Sequence, residues 1–114
     1  MIVGTLRILP ATERRAQVLE VFRAIQGPVL AQPGCLEFHI YEEEGPDPAV
    51  VLVERWESQQ ELATHLRSET YRRILGAIEL SGGAPEISFE SVVAAEGMDL
   101  IERSRVPGGK PVPR

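Results

Sequence analysis

The chain's only indole, both imidazoles, its single thiol and one of its two phenols fall within one stretch, from Gly34 to Leu66. His65 is a candidate general base, because imidazole exchanges protons near neutral pH. Its plain alternative is a partly buried ring hydrogen-bonded to Glu61, one helical turn back. Glu54 shares a predicted strand face with Leu52 and Trp56, where a carboxylate is costly unless it is paired. Either Arg72 or the neighbours of Arg55 neutralise it, or it orients a base or a substrate. Trp56 can serve as a stacking wall for a flat aromatic molecule, or simply as a core indole. Leu52 would line the same pocket. His39 and Tyr41 share one strand face, which faces either the pocket or a dimer contact. Tyr71 opens a helical stripe and reads as a core residue or as one whose hydroxyl reaches the pocket. Cys35 reads as a small buried thiol.

Other chemistries find little support. Two histidines and one cysteine without HxH, HxxxH or CxxC spacing carry no metal signature. Glu42-Glu43-Glu44 lacks the spaced oxygen ligands of a calcium loop and reads as a solvated strand end. Neither Gly82-Gly83 nor Gly108-Gly109 fits a phosphate-binding loop, so no cofactor is expected.

The elements that must position these groups follow from periodicity and punctuation. Residues 1–9 alternate as a strand closed by Pro10, and Thr12 can cap a helix whose stripe is Val18, Phe22, Ile25 and Val29. Gly27-Pro28 should interrupt that helix, leaving a separate short turn up to Pro33-Gly34. A second strand over 35–44 puts Leu36, Phe38 and Ile40 on one face and Glu37, His39 and Tyr41 on the other. Gly45-Pro46-Asp47-Pro48 turns the chain into a third strand, Val50 to Trp56. Ser58 and Glu61 form a capping box, and Ser68 is a second helix start, before the stripe Tyr71, Ile74, Leu75, Ile78. Ile87 to Ala94 reads as a fourth strand. From Gly97 the pattern fades, and Pro107 to Pro113 favours a mobile tail. The expected division is a folded domain over 1–96 and a C-terminal extension over 97–114.

Strand, helix, strand, strand, helix, strand is the split βαβ pattern, an α+β ferredoxin-like fold with helices on one face of an antiparallel sheet. Strands two to four place apolar residues on both faces, and two helices can cover only one. A homodimer through the sheet face is therefore expected, with strand four and Met98-Asp99-Leu100-Ile101 as candidates for crossing to the partner.

At 114 residues the chain is one domain by size, with 43% hydrophobic and 25% charged residues. A net charge of −5 disfavours a general nucleic-acid role. One cysteine forms no internal disulfide, no apolar run suits a membrane span, and the N-terminus carries no leader signature. The expectation is a cytoplasmic protein.

Pro33-Gly34-Cys35-Leu36, Glu54-Arg55-Trp56-Glu57-Ser58 and Ala63-Thr64-His65-Leu66, in this order of elements, resemble the antibiotic biosynthesis monooxygenase domain over roughly residues 1 to 95. The resemblance implies a dimeric α+β barrel of two ferredoxin-like protomers packed sheet to sheet, with a substrate pocket between sheet and helices in each. Characterised relatives include monooxygenases of polycyclic phenols or quinols that use neither metal nor flavin, haem-degrading enzymes, and isomerases of small signalling sugars. The haem-degrading branch carries an aromatic residue where His65 stands and a haem-ligating histidine where Leu75 stands, and an aliphatic chain cannot ligate iron. The polyketide-oxidising branch keeps the tryptophan matching Trp56 but has a polar amide at the position of Leu52.

Three readings follow. The first is a cofactor-independent oxidoreductase on an electron-rich aromatic, with His65 as base, Glu54 assisting, and Trp56, Tyr71, His39 and Leu52 around the substrate. The second is an isomerase or lyase in which His65 and Glu54 move a proton beside a carbonyl. The third is a dimeric module that binds a hydrophobic small molecule without reaction.

Overall fold

The structure, a computed structural model, describes residues 1–107. In chain order these form β1 (Ile2–Ile8), a 3-10 turn (Thr12–Arg14), α1 (Arg15–Leu30), β2 (Cys35–Glu42), β3 (Val50–Trp56), α2 (Gln59–Leu66), α3 (Glu69–Glu79), β4 (Glu86–Ser91) and α4 (Met98–Arg105). The four strands make one antiparallel sheet in the order β2-β3-β1-β4. This is the expected ferredoxin-like arrangement.

Alternation along the strands sorts the side chains onto two faces. The helix-covered face carries, row by row across the sheet, Ile40, Leu52, Leu6 and Ile87, then Phe38, Glu54, Gly4 and Phe89. Val18, Phe22, Ile25 and Val29 of α1 and Ile74 and Ala77 of α3 close over it. The rows on the other face are Tyr41, Val51, Arg7 and Glu86, then His39, Val53, Thr5 and Ser88, then Glu37, Arg55, Val3 and Glu90. Its apolar surface is thus confined to the central strands β1 and β3. The expectation that β2 and β4 also carry apolar residues there does not hold, because their odd positions and even positions respectively are polar or aromatic-polar. Ion pairs from Arg55 to Glu37 and from Arg7 to Glu43 and Glu86 frame the central strip.

Three local features differ from the sequence reading. The first helix runs unbroken through Gly27-Pro28. Proline there removes a single backbone bond close to the helix end, and burial of Ile25 and Val29 on either side of it holds the stripe on the core. Thr12 opens a 3-10 turn rather than capping the helix, and no side chain caps either start. Beyond β4 the pattern does not fade: α4 forms, with Asp99 in its first turn and Arg103 and Arg105 in its last, the order the helix dipole favours. None of its residues is buried. The tail expected over Pro107 to Pro113 lies, after its first residue, outside the described residues.

Candidate functional site

Two local signals place His65. Ser58, extended at the end of β3, accepts the backbone N–H of Glu61 and starts α2, which lasts only two turns. Ser68 then caps α3 by accepting the N–H of Tyr71. The short helix between the caps sets His65 over β3, where it is 1% exposed. On β3 the period of two points Leu52, Glu54 and Trp56 to the same covered face.

Glu54 is 5% exposed and each of its oxygens has a partner. The Trp56 indole N–H donates to Oε1 at 3.1 Å, and His65 Nε2 lies 3.3 Å from Oε2. The imidazole is stacked on the indole, with ring centroids 4.4 Å apart, and Tyr71 packs edge-on against it at 5.2 Å. The second imidazole nitrogen, Nδ1, is 2.7 Å from Gln32 Oε1, just beyond the end of α1. A buried carboxylate is thereby held by an indole, an imidazole and, through the imidazole, an amide. Such pairing offsets the cost of taking the charge out of water.

Glu54 also faces a small cavity between the sheet and α3, walled by Gly4, Leu6, Leu52, Tyr71, Ile74, Ile87 and Phe89. Its volume is about 10 Å³, room for about one water. Burial, and then the Glu54 charge, push the Tyr71 hydroxyl up from its ordinary range, so it stays protonated beside the carboxylate. The arrangement can accept a proton at Glu54 and offer one from Tyr71 in an apolar slot.

Of the six residues singled out from sequence, Glu54, Leu52 and Tyr71 line this cavity, and His65 and Trp56 stand behind Glu54 rather than in its wall. Trp56 is fully buried, so as the molecule stands its face is covered by His65 and not open to a substrate. His39 lies on the opposite face of the sheet, paired across from Val53 and 6.0 Å from the Tyr41 ring. The register of β2 against β3 puts it there. Arg72 does not neutralise Glu54, since it points outward to Glu69, and Arg55 bonds Glu37 on the other sheet face. Glu61 does not hold His65 either; its carboxylate is engaged by the Ser58 hydroxyl. Leu75 is half exposed on α3.

Gly4 and Phe89 were not legible as site residues. They face each other across β1 and β4, and a methyl group on Gly4 would sit 2.9 Å from the Phe89 ring and 3.5 Å from Glu54 Oε1. The glycine lets an aromatic ring lie beside the carboxylate. Gln32 and Ser68 were also missed as partners of His65; only the capping role of Ser68 had a sequence signal. Among the described residues no group of three or more His, Cys, Asp or Glu could hold a metal ion, and no helix is long and apolar enough to cross a membrane.

Known proteins share this frame. A putative antibiotic biosynthesis monooxygenase from Deinococcus radiodurans superposes with a TM-score of 0.76 at 17% identity, over 85% of this chain and 97% of its own. Rv0793 from Mycobacterium tuberculosis gives 0.75 at 22% identity, over 84% and 98%. SnoaB, a cofactor-independent oxygenase from Streptomyces nogalater, gives 0.70 at 16% identity, over 82% and 94%. At these identities the likeness speaks for the fold. No curated protein matches the chain in sequence. The family model for antibiotic biosynthesis monooxygenases matches residues 1–77, which hold Glu54, Trp56, His65 and Tyr71, and the chain belongs to that family.

Proposed function

We propose that the protein is a cofactor-independent monooxygenase acting on an electron-rich aromatic, a quinol or polyphenol, in the slot beside Glu54. The observation that carries this reading is a buried, doubly held carboxylate facing a small cavity with mostly apolar walls. Family membership and the likeness to SnoaB support the oxygenase chemistry.

Glu54, rather than His65, is the group that meets the substrate. It takes a proton from a quinol hydroxyl, and the quinol anion supplies electrons to oxygen. A carbon–oxygen bond forms, giving a ring hydroperoxide after the proton returns. Loss of the ring C–H proton then breaks the O–O bond and expels water. One quinol and one oxygen molecule thus give one hydroxyquinone and one water, with no external reductant. His65 and Trp56 hold the carboxylate in place, Tyr71 donates to the developing oxygen anion, and a bound ring that displaces water from the slot strengthens each contact.

The cavity is too small for such a ring as it stands, so entry requires Phe89 to swing away from Gly4. Phe89 is free to do so: it lies on the edge strand β4 and is 42% exposed. In this reading two copies also pack through the open sheet face, over the strip Val3, Val51 and Val53. β4 stays on its own copy, paired with β1, rather than crossing as expected from sequence; the segment opening α4 crosses to the partner, which offers Met98 and Ile101 the cover one copy lacks.

Oxygen uptake by the purified protein across a panel of quinols tests the reaction. Uptake matched one to one by quinol loss is expected. Turnover that persists under strict anaerobiosis would instead assign Glu54 and His65 to proton transfer alone, as in an isomerase, and no turnover in either condition would leave a binding module.

A further inference from the structure

The hydrogen-bond directions around His65 are fixed by one hydroxyl on the far side of the ring from the cavity. Ser68 Oγ donates to the His65 carbonyl at 2.6 Å, and a serine has one proton to give. Toward its other neighbours it can only accept, which it does from the Tyr71 N–H at 3.1 Å and from Gln32 Nε2 at 3.4 Å. That orients the Gln32 amide, so the atom 2.7 Å from His65 Nδ1 is its oxygen, a pure acceptor. Nδ1 must therefore carry the hydrogen.

The consequence falls on the other nitrogen. A neutral ring protonated at Nδ1 presents a lone pair at Nε2, and 3.3 Å away Glu54 Oε2 presents another. Glu54 Oε1 already accepts from Trp56. Two facing acceptors in a buried site repel unless a proton lies between them. The pair holds one.

We propose that Gln32 and Ser68 are positioning residues that lock this proton into the pair and stop His65 from passing it to solvent. A surface groove has Gln32, Glu61, Thr64, His65 and Ser68 in its lining, while the imidazole itself is fully buried, with the Gln32 amide on its Nδ1. Without that amide, water from the groove would reach Nδ1, and the ring could take a proton on one side and release it on the other. With Nδ1–H held on an amide oxygen, which has no useful basicity, that exit is shut. A second proton, taken from substrate by Glu54, then stays in the pair until reduced oxygen reclaims it. The pair is a closed proton store rather than a relay. The role in turnover rests on the function proposed above; the tautomer lock does not.

Nitrogen-15 NMR of histidine-labelled protein reads the lock without any substrate, with a His39→Gln variant assigning the signals. The wild type is expected to show a protonated Nδ1 on His65 whose hydrogen exchanges slowly with water. Gln32→Leu should lose that slow signal, and Gln32→Glu, whose carboxylate still accepts from Nδ1 but is itself basic, should keep Nδ1 protonated while speeding its exchange. On a quinol that supports oxygen uptake, Gln32→Leu should lower kcat at least about tenfold with little change in KM, within the range acid–base groups supply. A His65 signal with Nδ1 unprotonated, or one unmoved by Gln32→Leu, would overturn the lock. A lost lock with unchanged kcat would overturn its role in turnover. If the wild type consumes no oxygen, the function reading fails, and the NMR result alone still decides the lock.

Discussion

The Trp56 indole and the His65 imidazole lie against each other, 26° from parallel with centroids 4.4 Å apart, and both address the same carboxylate. Stacking thus fixes the imidazole plane, while the indole N–H and imidazole Nε2 divide the two oxygens of Glu54. Neither ring is an independent wall of the pocket; together they are the mount for one acid.

A mount of this kind is costly to break from one side. His65→Leu leaves Glu54 buried with a single donor and should destabilise the fold by about 3 kcal/mol or more. Glu54→Leu combined with His65→Leu should cost at least about 1 kcal/mol less than the sum of the two single changes. Urea unfolding at matched protein concentration measures the cycle; strict additivity would mean that the two side chains do not hold each other.

Gly4→Ala should close the slot. The added methyl fills the space beside Glu54 that a displaced Phe89 would leave to a ligand, so ligand affinity falls while the fold changes little, because an edge-strand phenyl can yield. Phe89→Ala should act in the other direction and admit larger rings. Calorimetric titration with one quinol series separates the two; equal affinity in both variants would place the ligand elsewhere.

Burial, then the nearby Glu54 charge, push the Cys35 thiol above its ordinary range, although its contact with the Glu37 carbonyl works the other way. A raised value means less thiolate at any mildly alkaline pH, hence slower alkylation than in the unfolded chain. Glu54→Gln removes one of the two causes and should speed the reaction. Alkylation timed with and without denaturant checks the sign, and faster reaction in the folded protein would contradict it.

The sheet-face dimer predicts a species near twice 12.6 kDa by sedimentation at micromolar concentration. Val53→Asp, at the centre of the open face, should shift it to monomer without unfolding it, since Val53 already lies outside the core. A wild type that sediments as a clean monomer would remove the barrel.

What could be read from sequence was what local chemistry encodes. Ser58 and Ser68 announce their helices because a cap and the N–H it accepts lie three residues apart, and the alternation of Phe38 and Ile40 with His39 and Tyr41 separates two faces before either has an assignment. Which face was covered needed the register of β2 on β3, and that placed His39 away from the site. A carboxylate among apolar neighbours signals its need for partners in the sequence, but a strand pattern does not say whether these are arginines or a base. The actual ones come from within its own strand, from α2 and, through the ring, from Gln32, 33 residues from His65. Gly4 and Phe89 meet only because β1 and β4, the first and last strands, are neighbours. Pro28 was misread because its backbone penalty was weighed without the burial of Ile25 and Val29 around it.

The central claim is that Glu54 is the proton acceptor at the substrate and that His65 works through it. Glu54→Gln keeps the shape and the Trp56 bond but removes the basicity. Stopped-flow measurement of quinol oxidation in air-saturated buffer, comparing Glu54→Gln, His65→Gln and wild type, tests this directly. The account predicts that Glu54→Gln loses about 100-fold or more in rate, the scale of general base catalysis, and that His65→Gln, with its carboxylate still facing the slot, loses less. A Glu54→Gln variant as fast as wild type, or one that outpaces His65→Gln, would contradict it.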